Sequence, residues 1–453
     1  MSFAFACFLV SRFSHPASTF IACTQYTTMI QKYHLQRAAY VLLATVALGA
    51  CKTKHPTSVK PGKESTATGI AYNKKEGFQV KKFSVPGAGP NLVFIEGGRF
   101  TLGALEEDVM KSNDNHERTV SIQSFYMDET EIANIHYLEY LDAIRRDSSE
   151  EVYARALPDT TVWANLLSAN DAYVTQYLRF PGYRYYPVVG VSWVQASDYS
   201  AWRTSAVNAE LFKKGSNPGK KSGKGFSLKR KSKTADPAAE TVQGAETASV
   251  APAKPSLESG LILPDYRIPT EAEWEYAAKA LIGTQYVDEN QSNQRIYPWD
   301  GSSVRNPKKG RKQGQMLANF KRGRGDYAGI AGRSNDGAII TQQIYAYPAN
   351  DFGLYNMAGN VNEWVYDVYR PLTFQVESDL NPVRRNGYLD EAKNYDKKGN
   401  NSLIDDKLRV YKGGSWSDVA YWLAPGTRRF MDQDSATATI GFRCAMTGVG
   451  LNK

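Results

Sequence analysis

Apolar positions follow a regular spacing in only a few stretches of this sequence of 453 residues. β-Branched and aromatic residues surround Gly97-Gly98, and this pattern predicts a β-hairpin from Leu92 to Leu102. Apolar and polar residues alternate from Arg118 to Asp128, which predicts another strand. From Ile132 to Leu141, apolar residues recur every third position, which is typical of an amphipathic helix.

Two further helices are predicted from their capping residues. Ser192 can cap a helix over residues 192–211, and Thr270 precedes Glu273 by three residues, the spacing of a capping box. The segment between these helices is rich in Lys, Ser, Ala, Pro and Gly, a composition that cannot bury enough apolar surface to fold. We therefore predict a disordered basic insertion at residues 208–260 within one domain.

The N-terminal part has the pattern of a lipoprotein signal peptide. Lys32 and Arg37 precede an apolar run of 13 residues, Ala38 to Ala50, which is too short to span a bilayer. The run ends at Cys51, and Leu48-Gly49-Ala50-Cys51 resembles a bacterial lipobox, which implies cleavage and a lipid on Cys51. An ordinary signal peptide or a buried helix is the alternative.

This interpretation divides the N-terminal region into three parts. Residues 1–28 fit no targeting pattern and are predicted to be a mis-assigned upstream extension, with synthesis beginning at Met29. Residues 29–50 form the signal peptide. Residues 51–88 are polar and form a flexible tether.

The formal net charge of +9 comes mainly from one segment. Residues 213–233 contain nine lysines and arginines and no acid, so the globular part is close to neutral. A solvated loop explains this run, although anionic lipid headgroups, lipopolysaccharide or nucleic acid could bind it. Because Phe226 alone interrupts the charges with an aromatic ring, we expect no nucleic-acid partner.

The histidine content excludes several kinds of active site. After signal cleavage only His55, His116 and His136 remain, so the domain cannot hold three histidines around a metal. No phosphate-binding glycine motif is present. Asn, Asp and Glu residues lie among glycines from Ser334 to Asp367, and such oxygen ligands favour calcium, although the same residues mark plain turns.

Six sequence blocks stand out: RIPTEAEWEYAAKA from Arg267, FIEGGRFTLG, SFYMDETEIANIHYLEYL, YPVVGVSWVQASDYSAW, FGLYNMAGNVNEW, and GGSW with GFRCAM. Together they resemble the formylglycine-generating-enzyme family, also called the sulfatase-modifying-factor family. The resemblance implies a single α+β domain of the C-type-lectin-like kind over residues 89–447. Such a domain is low in regular secondary structure.

The resemblance also implies two calcium sites. The first matches Asn356 and Glu363, with main-chain oxygens of Gly359 and Val361. The second matches four residues: Asn319, Phe320, Asp336 and Ala338.

The same resemblance places this protein outside the family's chemistry. The enzymes carry two cysteines after Gly-Gly-Ser that bind copper and attack a substrate thiol, whereas those positions here hold Asp418 and Leu423. A carboxylate and an isobutyl group cannot supply that thiolate pair. We expect no copper, no catalytic residues and no enzyme activity. An atypical peptide-modifying centre around Ser415, Ser417 and Asp418 is the rival interpretation.

A subgroup of the family, the gliding-motility lipoproteins, is most similar to this sequence. The similarity rests on the lipobox, the tether, ARALPDTTVWAN and YLRFPGYRYYPVVGVSWVQASDYSAWR. It implies a structural lipoprotein on the periplasmic side of the outer membrane of Bacteroidota, with type IX secretion and gliding proteins as partners. A calcium-dependent glycan or peptide binder is the alternative. Tyr183 and Tyr185 are candidate partner contacts, unless these rings cover the domain's own loops.

Overall fold

The computed structural model describes most of the protein from residue 88 onward and part of the segment before it. The described residues are 56, 58, 60–75, 78–80, 88–103, 115–164, 171–216, 262–281, 295–332, 335–370, 378–385 and 406–449. Cys51, the signal peptide and most of the basic insertion lie outside them. Among the described residues, no helix is long and apolar enough to cross a membrane.

The protein divides into two compact units, Met1–Phe83 and Ser84–Lys453. The described part of the first unit lies within the predicted tether. There the Ser65 amide donates to Ile70 O at 2.8 Å and the Tyr72 amide donates to Lys63 O at 2.9 Å. These bonds form a small local turn whose Ile70 and Phe78 side chains are exposed.

The second unit mixes short strands with a few helices, so the predicted α+β class is confirmed. Its strands are β1 Leu92–Ile95, β2 Gly98–Leu102, β3 Arg118–Ile122, β4 Phe125–Asp128, β5 Tyr266–Arg267, β6 Asn362–Val368, β7 Leu408–Lys412, β8 Arg429–Asp432, β9 Ile440–Gly441 and β10 Ala445–Thr447. Its α-helices are α1 Asn134–Asp147, α2 Glu150–Ala156, α3 Asp171–Gln176, α4 Trp193–Ser216 and α5 Glu271–Lys279, and short 3₁₀ helices include Ala420–Leu423.

The described strands form three small sheets. Their orders are β1-β4-β10-β5, β2-β3 and β8-β7-β6-β9. The pairing is antiparallel except between β6 and β9, which run parallel. The C-terminal segment contributes to two of these sheets, because β10 lies in the first sheet and β7, β8 and β9 lie in the third.

The hairpin predicted from Leu92 to Leu102 is wrong. β1 pairs with β4, whereas β2 pairs with β3, so the two strands enter different sheets. The two strands separate because Gly97 passes close to the connection between β3 and β4. A Cβ atom at Gly97 would lie 2.3 Å from Ile122 O. The glycines therefore allow a crossing between sheets rather than a tight turn.

The predicted helices form, and their caps follow the sequence patterns. The Thr270 hydroxyl accepts from the Glu273 amide, and the Glu273 carboxylate accepts from the Thr270 amide, as in a capping box. Ser192 exchanges the same pair of bonds with Gln195. Helix α4 continues to Ser216, so its last turns lie inside the segment predicted as the insertion.

Helix α5 is buried along its whole length and carries charged side chains into the core. Lys412 Nζ lies 3.1 Å from Glu271 Oε1 and 3.0 Å from Glu275 Oε2. Arg428 pairs with Glu271, and Lys279 pairs with Glu275. Since each of these buried charges has a partner of opposite sign, this network ties α5 to β7 and to the segment before β8.

Candidate functional site

The turn after β7 leads into the segment that contains Asp418 and Leu423. Gly413 and Gly414 have φ angles of +100° and +72°, a conformation that favours glycine. A Cβ atom at Gly414 would lie 2.9 Å from both Leu423 Cδ2 and Trp422 O. The double glycine thus lets the 3₁₀ helix Ala420–Leu423 pack directly against the turn.

The Asp418 carboxylate is held by hydrogen bonds from three side chains and one main-chain amide. Its Oδ2 accepts from the Ser415 amide at 2.9 Å, from Ser415 Oγ at 2.6 Å and from Asn362 Nδ2 at 3.0 Å. Two guanidinium nitrogens of Arg429 each donate to the carboxylate at 2.7 Å. Burial raises the pKa of Asp418, but Arg429, Ser415 and Asn362 outweigh burial and hold this pKa below its usual value.

Arg429 is itself fixed from two sides. Its guanidinium lies 4.4 Å from the Trp422 ring centroid and 5.0 Å from that of Tyr411. Arg429 also donates to Asn362 Oδ1 at 2.5 Å. The Asp418–Arg429 pair therefore has the geometry of a structural ion pair with bidentate contacts.

The Ser415 hydroxyl donates to a carboxylate that is a weak base. A nucleophilic serine needs a base whose pKa lies near the working pH, and Asp418 has a lowered pKa. Among the described residues, the hydrogen-bond partners of Ser415 Oγ are Asp418 and the Ser417 amide. This arrangement orders the loop and gives no observation in favour of the rival centre around Ser415, Ser417 and Asp418.

Leu423 is part of the hydrophobic core. Its side chain is fully buried in a cluster with Met316, Ala318, Phe320 and Ala358. A thiol at this position would face apolar neighbours, which raise the pKa of a cysteine. The two positions that the family resemblance aligns with cysteines thus hold an ion-paired acid, Asp418, and a packed aliphatic side chain, Leu423.

The second predicted calcium set contains buried oxygens without hydrogen-bond donors. Asn319 Oδ1 and Asp336 Oδ2 are both buried and accept no hydrogen bond within the described residues. Asp336 Oδ2 does form an ion pair with Arg322, whose Nη2 lies 3.7 Å away. Asn319 Nδ2 donates to Ile340 O at 2.8 Å, so the segment after Asp336 lies against Asn319. The Ala338 amide donates to the other Asp336 oxygen at 3.0 Å.

These residues carry oxygen atoms of the kind that calcium binds, and calcium would compete with Arg322 for Asp336. Leaving the Asn319 oxygen without a donor costs about 1–3 kcal/mol, and a hard cation would remove that cost. Asn319 and Asp336 would hold calcium with their side chains, and Phe320 and Ala338 would do so with main-chain oxygens. Burial also raises the pKa of Asp336, and bound calcium would favour its ionised form.

The first predicted calcium set is arranged differently. Asn356 Oδ1 is buried without a hydrogen-bond donor among the described residues, as in the second set. Glu363, however, accepts from Arg443 Nε and Nη2 at 2.7 Å each and from Trp274 Nε1 at 2.7 Å. Glu363 would have to release Arg443 in order to bind calcium with both oxygens.

The two sets touch through Gly359, which has a φ angle of +77°. A Cβ atom there would lie 2.4 Å from Asn319 O, and the next amide, that of Asn360, donates to the same oxygen at 2.8 Å. Val361 is buried beside this turn. Within the described residues, no group of three or more His, Cys, Asp or Glu could hold a metal, so any calcium site here depends on amide and main-chain oxygens.

The two candidate partner-contact tyrosines have different environments. The Tyr183 ring is partly buried, with centroids 5.3 Å from Tyr177 and 5.1 Å from Tyr186. The Tyr185 side chain is 51% exposed, while its main-chain oxygen accepts from the Ile344 amide at 2.9 Å. Tyr185 is therefore available to a partner, and Tyr183 mainly covers its own loops.

Sequence reasoning missed three charged residues of this region. Glu131 accepts from Asn356 Nδ2 at 2.8 Å and Asn360 Nδ2 at 2.9 Å. Arg429 and Arg443 neutralise Asp418 and Glu363. Glu131 and Arg443 lie within the blocks SFYMDETEIANIHYLEYL and GFRCAM, so their position in these blocks could have marked them as site residues. Arg429 lies in none of the quoted blocks.

Comparisons with known proteins agree with the resemblance to the formylglycine-generating enzymes. "Formylglycine-generating enzyme" of Bos taurus is 25% identical over 428 residues, which cover 88% of this chain and 86% of that protein. "Inactive C-alpha-formylglycine-generating enzyme 2" of Bos taurus is 28% identical over 190 residues, or 41% of this chain and 44% of that protein. The solved structure of Treponema denticola variable protein 1 shares 16% identity and a TM-score of 0.43, covering 79% of this chain and 95% of that one. The sulfatase-modifying factor enzyme 1-like domain matches residues 78–447, and this chain belongs to that family.

Proposed function

We propose that this protein is a non-catalytic scaffold of the type IX secretion and gliding machinery, anchored at the outer membrane by a lipid on Cys51. The observation that carries the non-catalytic part is the Asp418–Arg429 pair, together with the buried Leu423. Both Asp418 and Leu423 stand where the thiol chemistry of the related enzymes would need cysteines. Each of them is committed to holding the loop in place.

A rigid domain with a replaced centre suits a structural role. The paired charges of Glu271, Glu275, Lys412 and Arg428 fix α5 in the core and make the fold specific. The family also contains a protein whose name states that it is inactive. A fold that persists without its usual chemistry can still present loops to partners.

The proposed location is supported by the N-terminal sequence pattern. Lys32, Arg37 and the apolar run to Ala50 support export, and Cys51 supports a lipid anchor on the periplasmic side of the outer membrane. The polar segment 51–88 then separates the domain from the membrane. Tyr185 offers an exposed aromatic contact to secretion or gliding proteins.

The test is cross-linking of intact cells, gentle solubilisation, capture of this protein and identification of its companions by mass spectrometry. Native protein and Cys51→Ser are compared at equal expression. We expect type IX secretion or gliding components with the native protein and a large loss of them with Cys51→Ser. Recovery of glycans or secreted substrates without any machinery would contradict the scaffold.

A second candidate function is calcium-dependent binding of a glycan or peptide. The buried Asn319 Oδ1 and Asp336 Oδ2, which accept no hydrogen bond within the described residues, favour it. An ion at these oxygens would order the loop around Ile340. Binding of glycans or peptides that disappears on chelation, and in Asp336→Ala but not in Asp351→Ala, would support this function, because Asp351 is an exposed carboxylate.

A further inference from the structure

One segment inside the folded domain carries a dense positive charge. Residues 301–325 contain eight lysines and arginines and no acid, and the flanking acids are Asp300 and Asp326. The eight cations are Arg305, Lys308, Lys309, Arg311, Lys312, Lys321, Arg322 and Arg324. The domain therefore has a basic segment of its own, in addition to the run at residues 213–233.

The first part of this segment, residues 304–317, is a loop with a fixed base, and we call it the basic loop. Arg305 and Met316 form an antiparallel bridge, and the Leu317 amide donates to Val304 O at 3.0 Å. Met316 is buried in a hydrophobic cluster of the domain, and Val304 packs against that cluster. Because its two ends are tied together and to the core, the fold determines where the loop lies.

The turn of the basic loop presents its charges to solvent. The Gln313 amide donates to Gly310 O at 3.1 Å, and the Gly314 amide donates to Asn306 O at 2.9 Å. All four charged residues of the turn are exposed: Lys308, Lys309, Arg311 and Lys312. In the part of the chain that the structure describes, none of these four forms an ion pair. The turn thus holds four cations that no carboxylate of that part neutralises.

The residue types of the basic loop favour an extended negative surface over a nucleic acid or a single phosphate. Residues 304–317 contain no aromatic side chain on which a base could stack. Three of the four exposed cations are lysines, which act as flexible point charges, whereas bidentate recognition of one phosphate uses arginine. A bilayer with anionic headgroups attracts such clusters of lysine and arginine without requiring fixed partners.

We propose that the basic loop binds the surface of a bilayer that contains anionic phospholipids. The inference rests on the proposed lipid on Cys51, which would bring the domain to such a surface. A flexible chain as long as the predicted tether, residues 51–88, spans about 30–40 Å, so the domain would stay near the bilayer. This permanent proximity favours the bilayer over an acidic protein as the partner. Cations at the surface add to the binding that a lipid anchor provides.

The first measurement locates the contact. The full-length protein is mixed with vesicles of phosphatidylcholine alone or of phosphatidylcholine with phosphatidylglycerol, and exposed lysines are acetylated and quantified by mass spectrometry. We expect phosphatidylglycerol to protect Lys308, Lys309 and Lys312 and to leave the exposed Lys407, before β7, unprotected. In about 1 M salt, where the Debye length is about 3 Å, the protection should disappear.

The second measurement compares two variants with the same net charge in vesicle sedimentation. The loop variant carries Lys308→Gln, Lys309→Gln, Arg311→Gln and Lys312→Gln. The matched control removes four charges from the other basic run, through Lys220→Gln, Lys221→Gln, Lys229→Gln and Lys231→Gln. Each cation removed from the loop should weaken binding to anionic vesicles about fivefold, whereas the control should keep the native preference for phosphatidylglycerol. Both variants should melt at the native temperature, because the replaced loop residues are exposed.

Three results would overturn the proposal. They are equal labelling of the loop lysines with both kinds of vesicle, an equal loss of preference in the two variants, and loop-dependent binding to duplex DNA or polyglutamate that is tighter than binding to anionic vesicles. The mass of the peptide that contains Cys51 reports the lipid anchor separately. Failure of the anchor and failure of the loop therefore give different results.

Discussion

Replacing Asp418 with alanine should destabilise the domain strongly, because it leaves Arg429 without its carboxylate. The Asp418 and Arg429 side chains are only 16% and 21% exposed. Removing one partner of a buried pair costs about 3–5 kcal/mol, whereas an exposed pair contributes about 0–1 kcal/mol. Given the partial exposure, we expect a loss of about 3 kcal/mol in the free energy of unfolding.

The assay is urea unfolding followed by tryptophan fluorescence, with Trp422 beside Arg429 as a local reporter. Asp142→Ala is the matched control, since Asp142 and Arg146 form a pair on α1 whose side chains are 72% and 67% exposed. The loss of unfolding free energy in Asp142→Ala should stay below about 0.5 kcal/mol.

The variant Asp418→Ala with Arg429→Ala separates the ion pair from the other contacts of Asp418. Its loss of unfolding free energy should be smaller than the sum of the losses in the two single variants, because no unpaired charge remains buried. An Asp418→Ala loss as small as that of the Asp142→Ala control would refute the structural role of the pair.

Further predictions concern pH, packing, the metal and the surface. Because the pKa of Asp418 is lowered by folding, its stabilising effect should be complete above the unfolded pKa of about 3.9 and disappear as the pH falls through the folded pKa. The difference between native protein and Asp418→Ala in urea titrations should therefore be constant from about pH 5 to 8 and shrink below about pH 4. Leu423→Ala should cost about 2–5 kcal/mol in the same assay, and a loss below about 1 kcal/mol would place Leu423 outside the core. Calcium at about 100 times its dissociation constant should stabilise the native protein by about 2.7 kcal/mol and Asp336→Ala by much less, as seen by calorimetry; equal melting with calcium and with chelator would exclude the site. Tyr185→Ser should weaken recovery of cross-linked partners without lowering the melting temperature, whereas Tyr183→Ser should lower the melting temperature; the reverse result would exchange their roles.

Local signals in the sequence predicted the helices well. The capping boxes at Thr270 and Ser192 involve partners within one turn, so the residues that decide the helix start are neighbours in the sequence. Composition predicted a basic insertion from residue 208, but helix α4 continues to Ser216, so the predicted start is too early. The family resemblance, aligned on Gly413-Gly414-Ser415, predicted that Asp418 and Leu423 stand at the positions of a thiol pair.

Strand pairing was not readable in the same way. β1 and β2 look like a hairpin locally, yet β1 pairs with β4, which in turn pairs with β10 near the C-terminus. Two glycines are compatible with a tight turn and with a crossing between sheets. Which of the two forms depends on which strand edges the rest of the protein offers for pairing. That information is distributed over the whole domain.

The sequence by itself determined the family and the helix starts, because each depends on residue identity or on contacts within a few residues. Only the tertiary structure decided what Asp418 and Leu423 contact. Asp418 meets Arg429 eleven positions later and Asn362 fifty-six positions earlier. The buried side-chain oxygens of Asn319 and Asp336 likewise lie near one another's segments because folding brings these segments together and removes water from between them.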